Sequence, residues 1–236
     1  MKGNNVPVVV LTEHLDEESA RWLEGRVRLV HVAHDDPALA AALVDAEGLV
    51  IRTYTTVDEA FLSRAPRLRV IGRAGVGLDN VDVPACRARG VEVVYTPDAN
   101  TAAVVDYVFA LVLDAVRPRT PLPLHADAET FHRQRKEVVG RELAEHVLGI
   151  VGMGRIGRRV AKVADAFGMR VLWNDVLAPA ALALPPGTPG MRVEKETIWR
   201  EADVVTLHVD GRKQNHALVD AVVLAQLKPS CLLLNT

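Results

Sequence analysis

The sequence has few cysteines, almost no net charge and no long uninterrupted apolar run. Its 236 residues include only Cys86 and Cys231, which argues against a disulfide framework or a structural zinc site and favours a reducing, cytoplasmic setting. The 28 basic residues nearly balance the 30 acidic ones, so the positive surface of a nucleic-acid-binding protein is not expected. The longest apolar stretch, residues 102–116, is interrupted by Asp106 and Asp114, so no membrane-spanning helix is expected.

The residues that are present are typical of a globular α/β protein. Apolar residues make up 49% of the chain, and its length suits one large or two smaller domains. Through the first hundred residues, short β-branched runs alternate with helix-like stretches, which predicts an open and mostly parallel sheet. Thr56 and Glu59 are spaced as a capping box at the start of one of these helices. The predicted strands cover residues 6–11, 27–32, 49–51, 68–71 and 91–94.

A glycine motif opens the second half of the chain. A buried-strand pattern over residues 146–151 leads directly into Gly152, Gly154 and Gly157, and a helical pattern follows. In a dinucleotide-binding turn the first glycine permits the tight turn, and the second leaves room for the pyrophosphate against the backbone. The third lets the helix pack closely on the sheet. The spacing and its context therefore predict a dinucleotide site at a helix N-terminus.

Asp175 and His208 lie at the carboxyl ends of two further predicted strands. Asp175 stands 18 residues after the last glycine, where a carboxylate accepts hydrogen bonds from both ribose hydroxyls and repels a 2′-phosphate. With no arginine in the next several positions, this predicts NAD rather than NADP. His208 ends a predicted strand, at the edge where open α/β sheets bind ligands. The glycine motif could instead be a glycine-rich turn of another α/β fold. Asp175 could be merely a strand-end residue, and His208 an ordinary surface histidine.

Five segments, in order along nearly the whole chain, carry a family resemblance. They are Ile-Arg-Thr at 51–53, IGRAGVGLDNVD at 71–82, Asn-Thr at 100–101, the glycine motif at 152–157 and Asn-Thr at 235–236. These segments resemble signatures of the D-isomer-specific 2-hydroxyacid dehydrogenases, particularly the phosphoglycerate dehydrogenase branch. The resemblance implies two parallel-sheet α/β domains: a flavodoxin-like substrate domain over residues 1–99 and a Rossmann NAD-binding domain over residues 100–236, incomplete at its C-terminus.

The resemblance also implies a division of binding roles between these domains. The first would bind a small 2-hydroxy or 2-oxo acid and the second NAD, with no metal, and the protein would form a homodimer. The implied substrate site comprises the backbone of Ala74, Gly75, Val76 and Gly77 with Arg52 and Arg73, although either arginine could instead form a structural ion pair. The implied cofactor site comprises Val76, Gly152, Gly154, Arg155, Ile156, Gly157, Asp175, His208, Val209 and Thr236.

The sequence departs from the family pattern at three places. Thr56 stands where the family often has a lysine, which weakens the case for a phosphorylated substrate. Asp210 follows Val209 where a proline is common, and so adds a second carboxylate near the expected cofactor site. The arginine, glutamate and histidine that act in catalysis in the family would all follow Thr236, so no catalytic residue is expected within residues 1–236.

Two functions of different classes are compatible with this pattern. The first is an NAD-dependent dehydrogenase or reductase of phosphoglycerate-, glycerate- or hydroxypyruvate-like acids. The second is a non-catalytic NAD-binding or scaffolding protein, if the chain ends at Thr236. Because the sequence stops within an apolar strand pattern and has no polar tail, we expect the chain to be incomplete.

Overall fold

A computed structural model describes residues 6–117, 121, 123–137 and 139–236, except for the side chain of Lys213. The chain divides into two compact units, residues 1–100 and residues 101–236. Each unit contains one five-stranded sheet, and every strand pairing is parallel. The described residues contain no helix whose length and apolar character would let it cross a membrane.

The first unit alternates strands and short helices. Its sheet has the order β2-β1-β3-β4-β5, in which β1 lies between β2 and β3. The strands are β1 (Val8–Leu11), β2 (Arg28–His31), β3 (Gly48–Ile51), β4 (Val70–Arg73) and β5 (Glu92–Tyr95). The helices are α1 (Glu17–Glu24), α2 (Leu39–Leu43), α3 (Glu59–Ser63) and α4 (Val83–Ala88).

One face of this sheet forms the core of the first unit. Val10, Leu49 and Ile71 occupy matching positions on three neighbouring strands, and each is at most 1% exposed. Apolar residues of α2, α3 and α4, including Leu43 and Cys86, pack against them. Burial of these side chains is the main favourable contribution to folding of the unit.

The start of α3 corrects one local prediction. The capping box of Thr56 and Glu59 is wrong, because the N-cap is Asp58, whose carboxylate accepts the N–H of Phe61 at 2.7 Å. The physical reason is that the preceding residue, Val57, is buried and forms an isolated parallel bridge with Val81. The backbone is therefore still extended where the capping box would require the helix to begin.

The second unit has a sheet of order β10-β9-β6-β7-β8. Its strands are β6 (Val147–Val151), β7 (Arg170–Asn174), β8 (Met191–Arg192), β9 (Val204–Leu207) and β10 (Leu232–Asn235). Its helices are α5 (Thr101–Val116), α6 (Ala128–Glu137), α7 (Arg155–Ala166), α8 (Pro179–Leu182), α9 (Lys195–Glu201) and α10 (Ala221–Leu224).

Helices cover both faces of this sheet. Leu148 and Ile150 of β6 point to one face, where they join apolar residues of α5 and α7. Val151 of β6 and Leu172 of β7 point to the other face, where Ile198 of α9 packs. This alternation follows from the two-residue period of a strand, and it explains why β6 is apolar along its whole length. The predicted class, two α/β units with parallel sheets, is confirmed.

A single carboxylate joins three parts of the second unit. Asp203, just before β9, accepts the N–H of Val147 at 2.8 Å and the Lys228 Nζ at 2.9 Å. Burial would raise the pKa of Asp203, but these bonds outweigh it and lower that pKa below its ordinary value. The ionised carboxylate therefore stabilises the start of β6 and its pairing with β9.

We expect Asp203→Asn to lower the free energy of unfolding by about 2 kcal/mol, because an amide replaces a carboxylate that bonds a partly buried N–H and an ammonium. Urea denaturation at neutral pH measures the change. Asp165→Asn, the same substitution at an exposed position of α7, should change stability by less than about 0.5 kcal/mol. Equal effects of the two variants would contradict the role of Asp203.

Candidate functional site

The glycine motif forms the turn between β6 and α7. Gly152 has a φ of +98°, in the left-handed region that side chains disfavour. A β-carbon there would lie 2.7 Å from the carbonyl carbon of His208, which follows β9. The turn therefore packs directly on the backbone of the neighbouring strand end. Glycine is required at position 152 for both reasons.

The other two glycines have opposite surroundings. A β-carbon on Gly157 would overlap the carbonyl oxygen of Gly152, so this glycine lets α7 approach the turn. A β-carbon on Gly154 would have no heavy atom within 4 Å. Gly154 is the N-cap of α7, and among the described residues no side chain caps this helix. The helix N-terminus, with its positive dipole end, thus has open space beside Gly154, and such an end attracts a phosphate group.

The carboxylate of Asp175 is fixed against this turn. Its Oδ2 accepts the N–H of Met153 at 2.7 Å, and its Oδ1 accepts the N–H of Leu177 at 2.8 Å. Each carboxylate oxygen has a second lone pair, so both oxygens can still accept a hydroxyl proton. The bond to Met153 places the carboxylate beside the glycine motif without help from a ligand.

Arginines lie near Asp175 in space, although not in sequence. The Arg192 Nη2 donates to the carbonyl oxygen of Asp175 at 3.2 Å. Arg212 is close enough for Asp175 to contribute to its raised pKa, the larger causes being a hydrogen bond and charge attraction from Asp210. Asp210 forms a bidentate pair with Arg212 and accepts the Asn215 Nδ2 at 2.9 Å. The second carboxylate near this site is therefore neutralised by a cation.

His208 is held as a neutral imidazole. Its Nε2 lies 3.0 Å from the Thr206 Oγ1, and its Nδ1 is buried with no hydrogen-bond partner among the described residues. Burial lowers the pKa of His208 to about 4. A buried nitrogen without a partner beside the glycine turn is a group that a bound ligand could satisfy.

The other predicted cofactor residues of the second unit lie around the same edge of its sheet, whereas Val76 belongs to the first unit. Arg155 and Ile156 form the first turn of α7, and the backbone nitrogen of Val209 lies near Gly152. Thr236 follows β10, which is separated from β6 by β9. The open helix N-terminus, the fixed carboxylate and the unpartnered imidazole nitrogen fit a dinucleotide. No group of three or more acidic, histidine or cysteine side chains among the described residues is arranged to hold a metal ion.

The predicted acid-binding residues lie in the first unit, at the ends of two adjacent strands. Arg52 follows β3, and Arg73 ends β4. The N–H of Ala74 donates to the carbonyl oxygen of Ile51 at 2.8 Å, which joins the two loops. The N–H of Gly75 donates to the carbonyl oxygen of Arg73 at 2.9 Å. The N–H groups of Ala74 and Gly75 are thus already bonded within the protein. We therefore expect an anion to be bound by the N–H groups of Val76 and Gly77.

Arg52 and Arg73 are not neutralised by any carboxylate of the described residues. The guanidinium of Arg73 folds across Gly75, where a β-carbon would overlap it, and its Nε is buried without a hydrogen-bond partner. The Arg52 Nη1 makes only a long contact of 3.4 Å to the carbonyl oxygen of His14. Among the described residues, neither arginine forms an ion pair. The described residues therefore do not contain the structural ion pairs that were the alternative role for Arg52 and Arg73.

Sequence reasoning missed several residues that organise these loops. Glu13 follows β1 and accepts hydrogen bonds from the Arg52 loop, while Met153 and Thr206 bond Asp175 and His208. Glu13 did carry a signal, because a carboxylate two residues after the end of a strand lies near the ligand-binding edge of a parallel sheet. The contacts of Met153 use its backbone, which no side-chain pattern reveals.

Because unfolded histidine binds a proton with a pKa near 6.5 and folded His208 with a pKa of about 4, the unfolded state binds more protons between these values. The free energy of unfolding should therefore fall, by roughly 2.5 kcal/mol, as pH drops from 6.5 to 4. Urea denaturation across this range should show a shallower decline for His208→Gln. His132→Gln, at an exposed position of α6, should keep the full decline. An equal decline in wild type, His208→Gln and His132→Gln would refute the lowered pKa of His208.

Comparison with known proteins identifies relatives over almost the whole chain. A family model described as D-isomer specific 2-hydroxyacid dehydrogenase, catalytic domain, matches residues 9–222. The D-3-phosphoglycerate dehydrogenase of Mycobacterium leprae is 33% identical over 98% of this chain and 43% of its own length. The (S)-sulfolactate dehydrogenase of Chromohalobacter salexigens is 35% identical over 97% of this chain and 74% of its own length.

A solved structure agrees with these sequence matches. The crystal structure of Aquifex aeolicus D-lactate dehydrogenase, complexed with NAD and lactic acid, has a TM-score of 0.78 and 27% identity, covering 96% of this chain and 68% of that one. The chain spans less than half the length of the phosphoglycerate dehydrogenase from Mycobacterium leprae. The extent of the family match and the relatives' identity lead to one conclusion: the chain belongs to the D-isomer-specific 2-hydroxyacid dehydrogenase family.

Proposed function

We propose that this protein is an NAD-dependent oxidoreductase that transfers a hydride between the nicotinamide and a small D-2-hydroxy or 2-oxo acid. The observation that carries the proposal is the Gly152–Gly157 turn, with Asp175 fixed against it and open space at Gly154. Membership of the family supports the same cofactor, as does the similar D-lactate dehydrogenase, whose crystal structure is a complex with NAD.

The residues of the second unit would hold the dinucleotide by three kinds of contact. The N-terminus of α7, beginning at Arg155 and Ile156, faces the space beside Gly154 and would bind the pyrophosphate. Asp175 would accept both adenosine ribose hydroxyls through its two remaining lone pairs. His208, Val209 and Thr236 would line the cofactor site. We propose residues 100–236 as the NAD-binding domain on this basis.

The first unit would bind the acid. A carboxylate would accept the N–H groups of Val76 and Gly77, with Arg52 and Arg73 supplying positive charge. Val76 would also contact the nicotinamide half of NAD. This assignment makes residues 1–99 the substrate domain, and the lack of ion pairs for both arginines among the described residues supports it.

The reaction also needs a proton acceptor. NAD supplies the hydride acceptor when it is bound, and a base must take the hydroxyl proton of the acid. His208 does not suit this task, because a pKa of about 4 makes it a weak base and its partner is the hydroxyl of Thr206 rather than a carboxylate. We propose that the proton is transferred by the arginine, glutamate and histidine of the family pattern, none of which matches a position within residues 1–236.

The acid would be phosphoglycerate-, glycerate- or hydroxypyruvate-like. Relatives named D-3-phosphoglycerate dehydrogenase and hydroxypyruvate reductase support this range, at 33% and 28% identity. Thr56 in place of a lysine removes one cation that would favour a phosphate group. We further propose a cytoplasmic homodimer, which is supported by the family resemblance and the scarcity of cysteine.

To test the reaction, the full-length protein should be assayed for NADH oxidation with phosphohydroxypyruvate, hydroxypyruvate and pyruvate. Turnover of at least one of these acids is expected, with NADH preferred over NADPH. The variant Arg52→Ala should raise the KM for the acid by roughly tenfold, because a charged hydrogen-bond partner is lost. Tight NADH binding without turnover of any 2-oxo acid would instead favour a non-catalytic NAD-binding protein.

Asp175→Ala should weaken NAD binding roughly 10- to 100-fold, because two hydrogen bonds to a charged group are lost. NADP binding should stay similar or improve, since Arg192 and Arg212 remain near the ribose position. Calorimetric titration measures both affinities, and Asp165→Ala on the exposed face of α7 is the control. Unchanged NAD affinity in Asp175→Ala would refute the ribose assignment.

Gly154→Ala should leave stability within about 0.5 kcal/mol of wild type, because the added methyl group meets nothing within 4 Å. NAD affinity should nevertheless fall by roughly tenfold or more, since the methyl group would occupy the space for the pyrophosphate. Thermal denaturation and calorimetric titration on the same samples separate the two effects. Full NAD affinity in this variant would show that the dinucleotide does not lie against Gly154.

A further inference from the structure

One carboxylate holds the whole backbone of the loop that follows β3. The Glu13 Oε1 accepts the N–H groups of Arg52 at 2.9 Å and Thr55 at 3.0 Å, and the Thr55 Oγ1 at 2.9 Å. Its Oε2 accepts the N–H groups of Thr53 at 2.8 Å and Tyr54 at 3.1 Å. Four consecutive backbone donors and one hydroxyl therefore converge on a single side chain from the neighbouring strand end.

Two carbonyl groups of the same loop, at its first and last residues, accept hydrogen bonds from one amide. The Asn80 Nδ2 donates to the carbonyl oxygen of Arg52 at 3.0 Å and to that of Thr55 at 2.7 Å. The Thr55 hydroxyl is also 2.6 Å from the Thr12 Oγ1, in a buried contact. Residues 52–55 thus have a defined backbone conformation although they belong to no helix or strand.

The charge of Glu13 makes this arrangement strong. Burial opposes ionisation, but the backbone hydrogen bonds from Tyr54, Arg52, Thr55 and Thr53 outweigh it and lower the pKa of Glu13 to about 2. The carboxylate is therefore ionised throughout the neutral range. Hydrogen bonds to an ionised acceptor are roughly twice as strong as those between neutral groups.

In this loop the backbone N–H groups and the Arg52 side chain therefore have separate roles. Because Glu13 occupies the backbone N–H groups of residues 52–55, these donors are not available to an anionic ligand. Glu13 contacts the main chain of Arg52, and among the described residues no carboxylate pairs with the guanidinium of Arg52. The carboxylate therefore fixes the Cα of Arg52 without neutralising its side-chain charge. A long arginine side chain rooted at a fixed point loses less freedom when it binds an acid.

We propose that Glu13 is a positioning residue for acid binding: its carboxylate holds the 52–55 backbone so that Arg52 is directed at the carboxylate of the substrate. This inference rests on the proposed function, in which Arg52 binds the acid. It goes beyond that function by naming a residue that acts through Arg52 and does not touch the ligand. Asn80 complements it by bonding the carbonyl groups of the same loop.

A double-mutant cycle tests the proposal on the full-length protein. The variants are Glu13→Gln, Arg52→Ala and the combination of both, with Glu17→Gln on the exposed face of α1 as the matched control. The probe is hydroxypyruvate, titrated calorimetrically into protein saturated with NAD⁺, a pair that cannot exchange a hydride. The glutamine oxygen can still accept, but the NH2 group that replaces the other oxygen would face N–H donors from which it cannot accept, so the loop should lose its fixed conformation.

Glu13→Gln should weaken hydroxypyruvate binding roughly tenfold, while Glu17→Gln leaves it unchanged and all variants keep their NAD⁺ affinity within about twofold. In the Arg52→Ala background, Glu13→Gln should cause no further loss, because it acts through the arginine that is already missing. Glu13→Asp, which keeps the charge on a shorter side chain, should recover part of the affinity and serves if Glu13→Gln does not fold.

The outcomes separate the two proposals. If wild type binds hydroxypyruvate and Arg52→Ala weakens binding, but Glu13→Gln and Glu13→Asp match wild type, the role of Glu13 is overturned and the proposed function stands. Independent, additive losses in the double variant would also overturn it, since a merely structural role does not depend on Arg52. If wild type does not bind the acid or Arg52→Ala has no effect, the acid-binding part of the proposed function fails first.

Discussion

Three backbone segments of the second unit meet so closely that β-carbons are excluded between them. The turn at Gly152 packs on the backbone of His208, and Gly157 brings α7 against the same turn. This contact fixes the helix N-terminus relative to the ends of β6 and β9. The open space at Gly154, the position of Asp175 and the burial of His208 all depend on it. A side chain at Gly152 or Gly157 would move the helix and open the site.

Carboxylates that accept backbone N–H groups recur wherever the two units need a fixed loop. Asp175 bonds Met153 in the glycine turn, Asp203 bonds Val147 at the start of β6, and Glu13 bonds four donors of the 52–55 loop. In the glycine turn and in the 52–55 loop, the carboxylate satisfies N–H donors that no helix or strand pairs, so an irregular segment keeps one conformation. The sites therefore exist before a ligand binds, which lowers the entropy cost of binding.

The sequence predicted what local patterns determine and missed what distant contacts determine. The strand before Gly152 and the glycine spacing depend on neighbouring residues, so the fold class could be predicted and is confirmed. The contacts of Glu13 join residues about 40 positions apart, and the capping box at Thr56 failed because Val57 pairs with Val81. Short elements such as α8 and β8 depend on packing rather than on pattern. The binding roles of Asp175 and Arg52 stay predictions.

The most direct test of the proposed dinucleotide site is a crystal structure of the full-length protein soaked with NAD⁺. We expect the pyrophosphate beside Gly154 at the N-terminus of α7, with both adenosine ribose hydroxyls donating to Asp175. A dinucleotide bound elsewhere, or a ribose that makes no contact with Asp175, would contradict the site proposed for this chain.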